Sequence, residues 1–263
     1  MNINDLIINT IIDAGKEVLK YYNSNYELKF KEDESPLTSA DVAANEIILR
    51  NLSKTYLPII SEESVTQIKN TNSESFWLVD PIDGTKQFIK SDPQFTVNIA
   101  LITGNKVDKA AVYAPALNLL YYADIEIGAY KINTENGNKN EIRVNSISNH
   151  LKILCSKSHL NKETQIIIDR IRKAFRNSEV ESVGSSLKFC LLAEGYADLY
   201  LRKGKINTWD IAAGHTILKA AGGNVFDYYN FNEITYSYKN HLLGSFIAVG
   251  ENDFIRNYEK LLV

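Results

Sequence analysis

Cysteine is close to absent. Cys155 and Cys190 are the only two in the chain, far apart and outside any C-x-x-C spacing. That argues against a disulfide framework, a thioredoxin-like motif and a thiolate zinc site, and it fits a reducing cytoplasm. Histidine is scarce too: His150, His159, His215 and His241 show no H-E-x-x-H or similar ligand spacing, so any bound metal must be held by carboxylates. No block of one charge sign stands out, and the net charge is −3, which speaks against a basic surface for nucleic-acid polymers or anionic membranes. No apolar run reaches membrane-spanning length. The stretch "MNINDLIINTIIDAGKEVLKYYNS" interleaves polar with apolar residues and reads as neither a signal peptide nor a spanning helix. The five prolines leave no long linker, and repeats and low-complexity segments are missing.

What is present is an ordinary globular composition, 44% hydrophobic and 23% charged over 263 residues, enough for one large domain or two smaller ones around a real core. Leu6, Ile7, Ile11, Ala14, Val18, Leu19 and Tyr22 recur at helical spacing, as do Val42, Ala43, Ile47, Ile48 and Leu52. Short β-branched and aromatic runs follow: "LPIIS", "FWLVD", "TVNIALIT", "KAAVYAP", "NLLYYADI", "GAYKI" and "EIRVN". They predict a largely antiparallel sheet backed by two helices. Asn136-Gly137 predicts a type I′ hairpin turn within "INTENGNKNE". From about residue 151 the rhythm alternates strand and helix through "LKILCS", "KETQIIIDRIRKAF", "EVESVG", "SLKFCLLAEGY", "ADLYLR" and "TWDIAAGHTILKAAGG". The expected organisation is an α+β half over 1–149 and an α/β half over 150–263, with the cleft between them as the binding site.

Four acidic stretches each sit at a strand end or a helix start. "PIISEES" carries Glu62 and Glu63, "WLVDPIDGT" carries Asp80 and Asp83, "NTWDIAAG" carries Asp210, and "LTSAD" carries Asp41. Each has a structural alternative. Asp-Pro and Asp-Gly make turns, Asp41 and Asp210 can cap a helix or complement its dipole, and Glu62 and Glu63 can be solvated. Taken together, however, they are hard oxygen ligands of the kind Mg²⁺ requires. The Asp-Pro-Ile-Asp turn offers Asp80, the Ile82 carbonyl and Asp83. With Glu62 and Asp210 converging on it, about four negative charges could hold two or three divalent ions, the arrangement of metal-assisted phosphoester hydrolysis.

"SEES", "DPIDGT" and "WDIAAG", in that order, resemble the metal-site motifs of the inositol monophosphatase-like, lithium-sensitive phosphatases. "KEDESPLTSAD", "WLVDPIDGTKQFIK", "FTVNIALI", "VYAPALNLLY", "SKSH" and "GSSLKFCLLAEGYADLY" resemble the CysQ-type 3′(2′),5′-bisphosphate nucleotidase branch more closely. The resemblance covers essentially the whole chain. It implies a layered αβαβα sandwich of the sugar-phosphatase fold and Mg²⁺-dependent hydrolysis of 3′-phosphoadenosine 5′-phosphate to AMP and phosphate. An inositol or sugar monophosphatase on the same metal site is the alternative. Peripheral association with the inner membrane is allowed by the resemblance alone.

Carried over residue by residue, the resemblance implies that Glu62, Asp80 and the Ile82 carbonyl hold one ion, and that Asp80, Asp83 and Asp210 hold a second. A third, weaker ion would share Glu62. Thr85, its hydroxyl bonded to Asp41, would position and deprotonate the attacking water, with the phosphate against the N–H groups of Gly84 and Thr85. Ser156, Lys157, Ser158, His159, Ser185, Ser186, Lys188 and Arg202 are candidates for the second phosphate and the ribose. Lys86 and Lys90 read equally as phosphate neighbours or as solvated charges. Trp209 and Phe189 read as core rather than as adenine platforms, and Cys190 as a small buried apolar residue. Gln87 departs from the pattern, which usually has Glu there, at a position outside the expected ligand set.

Overall fold

The computed structural model describes residues 2–31, 34–64, 73–146 and 150–262; Glu32 and Asp33 of the "KEDESP" motif lie outside that range. The chain opens with α1 (Ile3–Tyr21), capped by the Asn2 side chain, which accepts from the Asn4 N–H at 3.0 Å. A short antiparallel ribbon of β1 (Leu28–Phe30) and β2 (Pro36–Thr38) leads into α2 (Ser39–Leu52). β3 (Ile59–Ser61) and β4 (Ser75–Asp83) then pair in parallel, and the one-turn helix α3 (Thr85–Ile89) follows at once. β5 (Thr96–Thr103), β6 (Lys106–Ala114), β7 (Leu119–Asp124), β8 (Gly128–Asn133) and β9 (Lys139–Ile142) continue as an antiparallel meander, completing a seven-stranded sheet in chain order.

In the second half come β10 (Leu151–Ser156), α4 (Lys162–Ala174), β11 (Ser178–Val183), α5 (Leu187–Ala193), β12 (Leu199–Arg202), β13 (Ile206–Asn207) and α6 (Thr208–Ala220). β14 (Asn224–Asp227), β15 (Leu242–Leu243), β16 (Phe246–Val249) and α7 (Asp253–Leu262) complete it. The five-stranded sheet runs β11-β10-β12-β16-β14, parallel among its first three strands and antiparallel beyond, while β13 and β15 form a separate ribbon.

Side-chain parity along the strands fixes the layers, because successive strand residues face opposite sides. In β4, Trp77 and Val79 face a cluster with α1 and α2, whereas Phe76 and Leu78 face one containing α5 and α6. In β16, Phe246 and Ala248 join that same central cluster, whereas Ile247 and Val249 face outward to Ile167, Ile168 and Phe254 of α4 and α7. The order is therefore helices, sheet, helices, sheet, helices, the expected αβαβα sandwich. Its central cluster draws on both halves of the chain, so α5 and α6 pack directly on the first sheet. Gly214 lets them approach closely: a Cβ there would sit 2.6 Å from the Phe189 Cβ.

The β8–β9 turn differs from the expected two-residue type I′. Residues 134–138 form a longer loop in which Gly137 takes φ +76° and its N–H donates to the Asn133 carbonyl at 2.9 Å, while Asn136 keeps negative φ. The β1–β2 ribbon, β14 and β16 are too short to carry a strong periodic signal and were not expected; α7 was not expected either, although Phe254, Ile255, Tyr258, Leu261 and Leu262 recur there at helical spacing. Among the described residues no helix is long and apolar enough to cross a membrane.

Candidate active site

A cleft of about 350 Å³ opens where the two sheets' ends meet α3, α5 and α6. β4 delivers its acidic residues there because the ladder to β5 slips between Asp80 and Asp83, and Asp-Pro-Ile-Asp bulges out of register. The Asp80 carboxylate folds back to accept from the Ile82 N–H at 3.1 Å. Gly84, at φ +92°, then turns the chain into α3 in the left-handed region that favours glycine.

Glu62, just past β3, Asp80 and Asp210, in the first turn of α6, each place a carboxylate oxygen within 4.8 Å of the others. Asp80 is 1% exposed. Burial, then repulsion from Glu62, Asp83 and Asp210, pushes its carboxyl well above the usual range; burial, then Asp83 and Glu62, does the same to Asp210. The Lys31 ammonium meets this charge from the side, 2.8 Å from Glu62 and 2.7 Å from Glu63. Thr96 and Asn98, the cross-strand partners of Asp83 and Asp80, each keep a buried oxygen without a hydrogen bond. A converging set of acceptors with this much mutual repulsion fits a hard divalent cation. Asp83 also lines the cleft, its Oδ2 2.6 Å from the Ser186 hydroxyl.

The structure separates Thr85 from Asp41. The Thr85 hydroxyl donates to the Ile82 carbonyl at 3.1 Å, a local bond available to a threonine three residues on. Asp41, buried at the third position of α2, accepts from the Thr38 N–H at 2.8 Å and the Thr38 hydroxyl at 2.6 Å. The helix-capping alternative is thus realised for Asp41. Its carboxyl is pushed up to about 7 by burial, against the lowering effect of Thr38.

Gly84, Thr85, Lys86, Ser156, Ser158, His159, Ser185, Lys188 and Arg202 all line the cleft together with the acidic group. Lys188 is buried, donates to the Val183 and Ser185 carbonyls and is pushed down to about 8 by burial. His159 is held below its ordinary range by burial and then by Arg202 and Lys86. Two of the candidates are not among the residues that line the cleft. Lys157 does not line the cleft and pairs with Asp92 at 2.7 Å. Ser186 is buried and donates to Asp83. Lys90 also lies outside the cleft.

Trp209 stays in the core, its ring against His241; Phe189 reaches the cleft wall with its ring stacked on Phe246. The Cys190 thiol is buried and pushed up by burial. Residues missed from sequence include Lys31, Tyr200, Lys205 and Asn207. Gln87 is on the wall as well, its Nε2 donating to Ser158 at 2.9 Å. Its departure from the family pattern was a visible signal.

The profile of the inositol monophosphatase family matches residues 3–248. The chain belongs to that family. Among its inositol monophosphatase family relatives, the 3′(2′),5′-bisphosphate nucleotidase CysQ of Salmonella typhimurium is 40% identical over 221 residues, 82% of this chain and 87% of the relative. The protein of the same name from Escherichia coli K12 is 40% identical over 222 residues, again 82% and 87%. The crystal structure of CysQ from Bacteroides thetaiotaomicron, described as a bacterial member of the inositol monophosphatase family, superposes with a TM-score of 0.83 at 34% identity, covering 94% of this chain and 96% of that one. A Thermotoga maritima IMPase gives 0.81 at 25% identity over 100% and 97%.

Proposed function

We propose that the chain is a Mg²⁺-dependent phosphatase that hydrolyses 3′-phosphoadenosine 5′-phosphate to AMP and phosphate. The observation that carries the reading is that one cleft is lined by both the carboxylates Glu62, Asp80, Asp83 and Asp210 and the basic residues Lys86, His159, Lys188 and Arg202. The CysQ-type relatives at 40% identity support the same substrate.

Glu62, Asp80, Asp83, Asp210 and the Ile82 carbonyl would hold two or three Mg²⁺ ions. Bound there, these supply charge neutralisation and a water of lowered pKa. Thr85, whose own hydrogen is committed to the Ile82 carbonyl, would accept a hydrogen bond from the attacking water and so orient it. Gly84 lets the backbone approach the reacting phosphate. Lys188 and Arg202 meet the second phosphate, Arg202 with a planar fork and Lys188 with a point charge, and Ser156, His159 and Ser185 flank the ribose. Lithium is expected to inhibit by competing for the same carboxylates.

The test is phosphate release with Mg²⁺ from 3′-phosphoadenosine 5′-phosphate and inositol 1-phosphate, side by side on purified protein. Preference for the nucleotide is expected. Turnover of the inositol ester with the nucleotide inert would keep the carboxylate chemistry and overturn the substrate.

A further inference from the structure

Below the cleft, Asn98 of β5 donates its Nδ2 to the Ser186 hydroxyl oxygen at 2.9 Å. That oxygen lies 2.6 Å from Asp83 Oδ2 and 3.0 Å from the Asp210 carbonyl. Ser186 and Asn98 are each 1% exposed, so water does not substitute in these bonds. A hydroxyl carries one hydrogen. Because Asn98 fills an acceptor position on Ser186, that hydrogen is turned away from Asn98, towards the Asp83 carboxylate and the Asp210 carbonyl. Asp83 arrives from the first sheet and Asp210 from the central helix layer, and Ser186, at the start of α5, is the point that touches both.

We infer that Ser186, oriented by Asn98, is a positioning residue that locks Asp83 and Asp210 into one divalent-cation half-site. One carboxylate oxygen of Asp83 is spent on Ser186, which fixes its rotamer and leaves Oδ1 as the oxygen for the ion. A hydroxyl donating to a carboxylate oxygen makes a hydrogen bond of the stronger kind. Partners of this sort typically change metal affinity by about 10–100-fold when removed. The inference rests on the reading that these carboxylates bind divalent ions.

The test is titration calorimetry of Mg²⁺ into the full chain without substrate, with near-ultraviolet circular dichroism to establish that each variant is folded. Ser186→Ala is expected to raise the dissociation constant of one class of ion by about 10–100-fold while leaving the other class, on Glu62 and Asp80, within about threefold. In turnover the same variant lowers kcat at a given Mg²⁺ concentration, and excess Mg²⁺ restores it, which a general loss of packing would not do. Wild-type Mg²⁺ affinity in folded Ser186→Ala overturns the inference. If that variant does not fold, Asn98→Ala decides: it keeps the hydroxyl and removes its orientation, so weakened binding in one class supports the role and unchanged binding overturns it. Wild-type protein that takes up no Mg²⁺ defeats the metal reading itself, a result distinct from either variant's failure.

Discussion

Asp83 and Thr85 sit two residues apart in one turn and do different work. Asp83→Asn keeps the shape but removes the negative charge from the oxygen offered to an ion, so kcat/KM for the bisphosphate is expected to fall by about 100-fold. Thr85→Ala removes a hydroxyl that bonds the Ile82 carbonyl and faces the cleft. Misplaced water costs turnover rather than binding, so kcat should fall on the order of 100-fold with KM little changed. Steady-state kinetics on both variants checks this; wild-type kcat in either would remove its residue from the mechanism. Lys157, paired with Asp92 outside the cleft, makes the contrast: Lys157→Ala should leave KM for the bisphosphate within about twofold, as for an exposed ion pair. A large rise in KM would return it to the substrate site. The carboxylates could be named from sequence because turn chemistry and ligand chemistry coincide in Asp-Pro-Ile-Asp-Gly. The direction of Lys157 could not, because it depends on where β10 ends relative to Asp92.

At the scale of elements, α6 does two jobs: its first turn presents Asp210 and its middle fills the centre of the sandwich. Gly214 packs closely against α5. Gly214→Ala would place a methyl 2.5 Å from Phe189 Cδ2 and 2.6 Å from its Cβ. The Cβ cannot swing aside as a side-chain tip can, so the helices must separate. A loss of about 1–3 kcal/mol, typical of overpacking, is expected in denaturant unfolding, together with reduced Mg²⁺ affinity because Asp210 moves with its helix. An unchanged midpoint would mean the interface yields freely. His215 on the same helix is buried between the Tyr236 hydroxyl and Asn224 and held down at about 4 by burial, so it stays neutral through the physiological range. The helix and the strands before it were legible as periodicity. The pairs β13–β15 and β14–β16 were not, since two- to four-residue strands carry too little pattern.

For the whole molecule, the acidic cluster should make metal-free stability pH-dependent in an unusual direction. Asp41 ionises near 3.8 when unfolded and near 7 when folded, and Asp80 and Asp210 are raised as well. Across that window the native state keeps protons that the unfolded chain has released, so stability falls as pH rises from about 4 to about 7. Thermal unfolding in a chelator should therefore show a higher Tm at pH 5 than at pH 7.5. Added Mg²⁺ should reverse the order, since an ion at 100 times its Kd contributes about 2.7 kcal/mol. A chelated protein whose Tm rises with pH would contradict the raised carboxylates.

The sequence by itself determined the chemistry and the layers. Acidic residues gathered at strand ends and helix starts offer the hard oxygen donors a divalent cation needs, and period-2 and period-3.6 patterns specify which faces are buried. The tertiary structure decided what meets what. It gave Asp41 to Thr38 rather than to Thr85, paired Lys157 with Asp92, and drew Asn98, Ser186 and Asp83 into one line from residues 98, 186 and 83. Those contacts join positions distant in the chain, and side-chain direction at each depends on the packing of elements around it, which local residue order does not encode.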